Sequence, residues 1–515
     1  MLTTERRLGA GPILRAGSSA PYRSVVEQPG EPHLVRAELV AKPPADEVVA
    51  HGRAIACIGH ITDLHVTDVQ SPARFEFVNR EWEDPRFREL LTMQRPHEAL
   101  NARAVEALLR TFHSIDRAPV TGSAIELVAM TGDSIDNTQL NELTNFLALM
   151  DGGAVRPDSG VPGYDGVQAA QWPSDIFWKP DGPVGGDLFQ KGLGYPRVPG
   201  LLELAMEPFQ AAGLGLPWLG CYGNHEEVCQ GVGVVNLTLA PAMVGSRKPL
   251  ALPEGLDRDH ALETFVRSPD YFMSGRALEV APDAARRPIT RPEFVELHHQ
   301  SGRHGFTEAN RADGTAYYVH DTPRVRFITL DTVCPAGGAD GQVDPAQLPW
   351  LERRLEEVHS TFPTRDRSVL RTQNQDRMVV LLSHHGFDTL SNPRGLQGGA
   401  ELLELLHRFH NVVLWLNGHI HANRITPRPG GVGGGFWEVT TSALVDWPCQ
   451  GRMVELFEAG SGLLGIACTM VDHDGEGLAG VHRELAANVP FSGFDSWRPG
   501  RPEDRNVVLL LAAPF

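Results

Sequence analysis

The sequence predicts an α/β layered fold built around central sheets. Three observations predict it. Short apolar runs of strand length recur along the chain and end in polar residues. Segments of helical period stand between several of them. The chain also has 515 residues, 42% of them hydrophobic. That is more than one core usually supports, so two domains or one domain with large insertions are expected.

The elements follow in order. Residues 1–50 are rich in Pro, Gly and charge, and are expected to wrap the surface as an N-terminal extension. The main domain is expected over 51–475. Its first buried strand is AIACIGHITDLH, from residue 54. HEALNARAVEALLRTF (97–112) places apolar residues at helical spacing. AIELVAMTGDSIDN (124–137) is a second strand, ending in Gly-Asp, and NELTNFLALM after it is helical. LPWLGCYGNHEE (216–227) is a third strand with a polar end. VRFITLDT (325–332), a helix over LPWLERRLEEVHSTF (348–362) and the strand RMVVLLSHHG (377–386) follow. The helix AELLELLHRFH (400–410) then leads into VVLWLNGHIH, and FWEVTTSAL and MVELFEAG read as antiparallel strands.

Two stretches break this rhythm. Residues 151–215 are rich in Gly, Pro, Asp and Trp. Residues 228–315 are long and irregular, with a helical piece in DHALETFV. Insertions of this length in a compact fold are usually functional lids or decoration. Residues 476–515 form a C-terminal extension with one short helix and the apolar run VVLLLAAPF.

Composition narrows the function. Acidic residues number 64 against 46 basic ones, a formal net charge of -18. This argues against a nucleic-acid partner and against anionic membrane surfaces. No apolar stretch approaches a membrane span. Arg6-Arg7 is not followed by the apolar region of an export signal, so a cytoplasmic location is expected. The six cysteines form no CxxC pair and read as buried free thiols in a reducing compartment.

The chemistry gathers where strands end. Asp63-Leu64-His65, Gly132-Asp133, Gly223-Asn224-His225-Glu226, His384-His385 and Gly418-His419-Ile420-His421 each close an apolar run. In open α/β sheets the carboxyl ends of the strands form the ligand crevice. Residues i and i+2 of a strand face one side, so each D-x-H or H-x-H pair can grip one object. Carboxylate and imidazole together are the ligand set of Zn, Fe, Mn and Co. Unpaired, such groups cost several kcal/mol each to bury.

These motifs, in this order, resemble those of the calcineurin-like metallophosphoesterase superfamily, over roughly residues 54–445. The long intervals after Asp133 and after GNHE resemble a long-insert subgroup. The resemblance implies a four-layer α/β/β/α sandwich and a dinuclear centre of two divalent or transition metal ions. One ion would take Asp63, His65 and His421. The other would take Asn224, His384 and His419, with Asp133 bridging both. The run SHHGF lacks the proline frequent after the fourth-motif histidine, so His384 is the aligned ligand and His385 the fallback.

By the same resemblance, a hydroxide between the ions would attack phosphorus. His225 would be the catalytic general acid, or charge stabiliser, for the leaving oxygen. Asp136 and Asn137 either orient Asp133 or cap the next helix. Glu226 either fixes a ligand histidine or forms a surface pair. His60 and Asp331 read as structural, as does His97, whose helix start could also reach the cleft. Trp172, Trp178, Tyr164 and Arg247 are candidate cleft-lining residues. The expected activity is hydrolysis of a phosphate mono- or diester of a small phosphorylated molecule. The ligand set resembles that of cyclic-nucleotide and glycerophosphodiester phosphodiesterases, which tilts the choice to a diester. The alternatives are a metal-dependent nuclease and a non-catalytic metal-bearing scaffold.

Overall fold

A computed structural model describes residues 1–41, 52–396, 398–431 and 433–515. The expected junction of the N-terminal extension with the main domain falls on residues 42–51, outside the described residues. The main strands are, in chain order, β1 (Leu34–Arg36), β2 (Arg53–Ile61), β3 (Leu127–Met130), β4 (Trp218–Gly220) and β5 (Tyr318–Asp321). Then come β6 (Val325–Thr329), β7 (Met378–Leu382), β8 (Val412–Asn417), β9 (Arg424–Pro429) and β10 (Gly435–Thr440). The last are β11 (Gln450–Gly460), β12 (Leu463–Asp472) and β13 (Val507–Ala512). The helices that matter for the site are α1 (Asn101–His113), α2 (Leu140–Asp151), α3 (Asn224–Glu227), α4 (Gln347–Glu356), α5 (Gly399–His407) and α6 (Gly477–Ala487).

The strands form two mixed sheets. One has seven strands in the order β1-β13-β12-β11-β2-β3-β4, the other six in the order β5-β6-β7-β8-β10-β9. Within each, a parallel block carries the expected site segments. β2, β3 and β4 run parallel in the first sheet, and β6, β7, β8 and β10 in the second. All these strands therefore deliver their carboxyl ends to one rim.

Side-chain alternation shows the layering. On β7, Val380 and Leu382 join the core shared with Ile58 and Val128 of the first sheet. Val379 and Leu381 point the other way, towards Leu351 and Leu355 of α4 and Leu402 and Leu406 of α5. Period-two alternation with both faces apolar is what a strand buried between two layers needs. Val105, Leu108 and Phe112 of α1 and Leu143 and Phe146 of α2 pack on the first sheet. The result is the helix–sheet–sheet–helix sandwich that the sequence led us to expect.

Three elements differ from expectation. The helix expected over 348–362 stops at Glu356, and Thr361–Pro363 pairs with Val369–Arg371 as a small hairpin. Val358 and Phe362 still enter the second core, so burial is satisfied without helix. The segment read as FWEVTTSAL is antiparallel only to β9, and β10 runs parallel to β8. GNHE does not end a strand: β4 stops at Gly220 and Asn224–Glu227 form a helical turn.

The irregular segments pack into satellite cores. Met243, Phe265 and Phe272 bury against Phe75, Phe87 and Leu90. Trp178, Tyr195 and Leu201 bury against Tyr22 and Leu485. β13, from the C-terminal segment, lies between β1 and β12 in the first sheet. All six cysteines are buried and free. Among the described residues, no helix is long and apolar enough to cross a membrane.

One buried histidine far from the rim sets an acid limit. His359 donates from Nδ1 to the Leu355 carbonyl and accepts at Nε2 from the Asn411 N–H at 3.2 Å. Both ring nitrogens are thus committed to the neutral ring, and burial pushes its pKa down to about 4. The unfolded chain protonates near the ordinary value of 6.5, so stability is held above that pH and lost as pH falls towards 4. His359→Gln is expected to lose about 2–3 kcal/mol less than the parent between pH 7.5 and pH 4.5. Urea midpoints at the two pH values measure this, and equal losses in both proteins would contradict it.

Candidate metal centre

Three of the site segments leave their strands by sharp turns. Asp63, His65, Asp133, His419 and His421 all have positive φ, between +46° and +69°. Such backbone costs a non-glycine residue roughly 1–2 kcal/mol. It persists only where the surroundings over-determine it, and it gathers at functional sites. Five strained residues at one rim are a signal that no local sequence rule carries.

The turns bring the expected residues together. His421 Nε2 lies 3.2 Å from Asp63 Oδ1 and 3.1 Å from His65 Nε2. His65 Nε2 lies 3.8 Å from Asp133 Oδ2 and 4.0 Å from Asp63 Oδ1. On the other side of Asp133, His384 Nε2 is 3.1 Å from Oδ2. His419 turns away from His421, and its ring centroid is 5.2 Å from that of His384. Donor atoms bound to one ion at about 2.1 Å lie roughly 3 Å apart, so these spacings suit shared cations.

Glycine is required where the segments touch. A Cβ on Gly418 would sit 2.0 Å from Thr62 Oγ1 and 2.3 Å from Asp63 Oδ2. A Cβ on Gly223 would sit 2.3 Å from Asp133 Oδ1. The glycines of GHIH and GNHE are therefore close-approach residues that let the loops meet.

The donor set also passes a test of fit. Asp63 Oδ1, Asn224 Oδ1 and His384 Nε2 are buried and have no hydrogen-bond partner. An unsatisfied buried polar atom costs about 1–3 kcal/mol. These three atoms come from three separate segments, and each belongs to an expected ligand. A cation at the rim would satisfy them, and carboxylate, imidazole and amide oxygen are donors suited to Zn, Mn, Fe or Co.

Electrostatics follow from burial. Burial alone would raise the carboxyl pKa of Asp63 and Asp133. The imidazoles of His421 and His384 outweigh it and hold both below the usual carboxylate range. Burial alone would lower His384, but Asp133 and Asp63 push it up to about 9. Burial, reinforced by His225, takes His65 down to about 4.

The surrounding residues have clear roles, some of them unexpected. Asp136 does not orient Asp133 or cap α2; its Oδ1 accepts from His65 Nδ1 at 3.0 Å. Gln230 Nε2 donates to its other oxygen at 2.8 Å. Asn137 is no cap either, and donates from Nδ2 to the Ala73 carbonyl at 3.0 Å. Glu226 holds no ligand histidine and is not at the surface. Its carboxylate accepts from the backbone N–H groups of Gly223 at 2.7 Å, Asp133 at 3.0 Å and Ser134 at 2.7 Å. It thus shapes the turn that carries Asp133. His384 Nδ1 donates to the Thr131 carbonyl at 2.8 Å.

His385 is a fully bonded core residue. It donates to the Ala339 carbonyl at 3.0 Å and accepts from Thr332 Oγ1 at 3.0 Å. His60 bonds Thr131 and Thr441, His97 donates to the Val445 carbonyl, and Asp331 pairs with Arg291. The expected cleft-lining residues Trp172, Trp178 and Tyr164 pack into satellite cores instead. Trp178 donates to the Pro196 carbonyl beside Tyr164, Trp172 joins Phe177 and Leu250, and Arg247 caps the Met273 carbonyl.

The sequence reading missed Asp446. Its Oδ2 accepts from His421 Nδ1 at 2.7 Å. The available signal was an acidic residue inside the apolar run SALVDWP.

His225 closes the arrangement. Its backbone N–H donates to Asp133 Oδ1 at 3.0 Å, and its Nδ1 donates to the Asp136 carbonyl at 2.6 Å. Its Nε2 remains 3.9 Å from Asp133 Oδ2, on a side chain 18% exposed.

Such a rim, with carboxylates and imidazoles converging from five segments, fits a metal-dependent phosphoric ester hydrolase. Residues 183–423 match the family model described as calcineurin-like phosphoesterase. That match takes in the last three motifs, and the fold sets Asp63, His65 and Asp133 beside them. Over residues 183–423 the chain is similar to the calcineurin-like phosphoesterase family. Among solved structures it is similar to a dimetal phosphatase from Danio rerio, at 11% identity and a TM-score of 0.37, covering 82% of this chain and 100% of that one. It is also similar to purple acid phosphatase PPD1 from yellow lupin (Lupinus luteus) seeds. There the identity is 11% and the TM-score 0.29, covering 87% of this chain and 54% of that one. No curated protein matches.

Gly418→Ala tests the close approach. The variant is expected to bind less than half the wild-type amount of manganese after dialysis, with unchanged far-ultraviolet circular dichroism. Full metal retention would show that the loops tolerate the side chain.

Proposed function

We propose that this protein is a dinuclear metal-dependent phosphodiesterase acting on a small phosphorylated molecule. The observation that carries the reading is the set of three orphaned buried donors, Asp63 Oδ1, Asn224 Oδ1 and His384 Nε2, around one rim. Asp63, His65 and His421 would hold one ion, and Asn224, His384 and His419 the other, with Asp133 between them. When bound, such a metal pair supplies Lewis acidity towards phosphoryl oxygens and lowers the pKa of an attacking water.

The chain's own residues supply the rest. His225 Nδ1–H is committed to the Asp136 carbonyl. Only Nε2 is therefore left for a leaving oxygen, on a side chain 18% exposed. General acid assistance of this kind is worth about 10²–10⁴-fold.

A diester fits the local charge. A monoester dianion calls for an additional cation, and three arginines that contact the acids behind His65 and His421 are already engaged. Arg74 pairs with Asp136 and Glu98, and Arg95 and Arg498 pair with Asp446. A monoanionic diester needs no further guanidinium. The net charge of -18 favours a small substrate over a nucleic acid.

The test is a substrate panel with manganese or cobalt: bis(p-nitrophenyl) phosphate, p-nitrophenyl phosphate and single-stranded DNA. The diester is expected to lead by at least about tenfold in kcat/KM. Parity with the monoester would overturn the diester preference, and preferred DNA cleavage would make the protein a nuclease. His225→Ala should keep both metals and lose about 10²–10⁴-fold in kcat. Asp133→Ala should lose metal, and two ions bound at wild-type strength would remove Asp133 from the bridging position.

A further inference from the structure

The C-terminal segment reaches the rim at one residue. Arg498 Nη1 lies 3.2 Å from Asp446 Oδ2 and donates to the His421 carbonyl at 3.4 Å. The backbone there is tied to the GHIH segment as well. The Asn423 N–H donates to the Arg498 carbonyl at 2.9 Å, and Asn423 Nδ2 to the Pro499 carbonyl at 3.3 Å. Gly500 passes so close that a Cβ there would sit 2.5 Å from the Asn423 carbonyl oxygen. Residues far apart in sequence are therefore locked onto the turn that carries His421.

Asp446 stands at the centre of this lock. Its carboxylate is 1% exposed. One oxygen accepts from Arg95 Nε at 3.0 Å. The other accepts from His421 Nδ1 at 2.7 Å and faces Arg95 Nη2 at 3.4 Å and Arg498 Nη1 at 3.2 Å. A carboxylate can only accept, so His421 must carry its proton on Nδ1. Its Nε2 lone pair is thereby fixed towards Asp63 Oδ1, 3.2 Å away. A carboxylate behind a ligating imidazole sets both the tautomer and the ring orientation, and makes the ring a stronger donor. Two guanidinium groups keep this carboxylate from rotating away from the ring.

The geometry points to Asp446 as the positioning residue of His421, held in place by Arg95 and by Arg498 from the C-terminal segment. The C-terminal segment is therefore a working part of the metal centre as well as a strand of the first sheet. This rests on the two-metal reading given above, and a direct binding measurement separates the two.

The experiment titrates chelator-stripped full-length protein with manganese by equilibrium dialysis and elemental analysis. The proteins are wild type, Asp446→Asn, Arg498→Met and Arg498→Lys. Wild type is expected to take two ions per chain. Asp446→Asn should weaken one uptake step by about 10–100-fold and leave the other within about twofold. Arg498→Met should weaken the same step by a smaller factor, and Arg498→Lys should restore part of it. The metal-free unfolding temperature of Arg498→Met should stay within a few degrees of wild type. Wild-type constants for both steps in Asp446→Asn and Arg498→Met would overturn the inference while leaving the two-metal reading intact. So would an equal loss in both steps with a lowered metal-free unfolding temperature, which marks a purely structural prop. A wild-type protein that takes up no metal would defeat the two-metal reading itself.

Discussion

Two carboxylates buried side by side, Asp63 and Asp133, set the terms for the rest of the structure. Each is almost wholly removed from water. Burying a charge is costly unless it is paired and hydrogen-bonded. Asp63 meets that demand at Oδ2, with Thr62 Oγ1 and the His419 N–H. Asp133 meets it at Oδ1, with the His225 N–H. GNHE and GHIH are thus recruited as hydrogen-bond donors to two acids. The places where this pairing stays incomplete, Asp63 Oδ1, Asn224 Oδ1 and His384 Nε2, are the places where a cation fits.

The fold serves this constraint through strand direction. Parallel strands in both sheets deliver their carboxyl ends to one rim, so residues from the two halves of the chain can meet there. The strain of five positive-φ residues is the local cost of turning side chains inward at the ends of those strands. Glu226 shows how one side chain absorbs much of that burden. By accepting from three successive backbone N–H groups, Ser134 and Ile135 among them, it stabilises the turn around Asp133. Arg74, Arg95 and Arg498 do the equivalent for the acids behind His65 and His421. In a network this buried, each unpaired member would be expensive.

Much of this was legible in the residues alone. The apolar runs at 54–61, 127–130, 325–329, 378–382 and 412–417 are strands buried on both faces, and their composition says so. Helical periodicity located α1, α2 and α5 to within a few residues. It overran at 348–362, because Val358 and Phe362 suit the second core equally well from a hairpin. GNHE misled for a similar reason: a polar end to an apolar run reads alike whether it finishes a strand or opens a helical turn. The loop aromatics Trp172 and Trp178 were unreadable as cleft or core, since an aromatic in a long loop carries no period.

The sequence by itself singled out the residues expected to carry the chemistry, because acids and imidazoles at the ends of apolar strands have few other reasons to be there. It also determined the layered architecture, because that follows from hydrophobic periodicity. Only the tertiary structure decided how these residues are divided. His385 is fully bonded in the core while His384 leaves a nitrogen free, although the two are neighbours of one type. Asp136, Asp446 and Arg498 stand behind the histidines although no motif marks them. The physical reason is that hydrogen-bond satisfaction is a property of a three-dimensional neighbourhood. Arg498 and His421 are 77 residues apart in the chain, and no local pattern can record their contact.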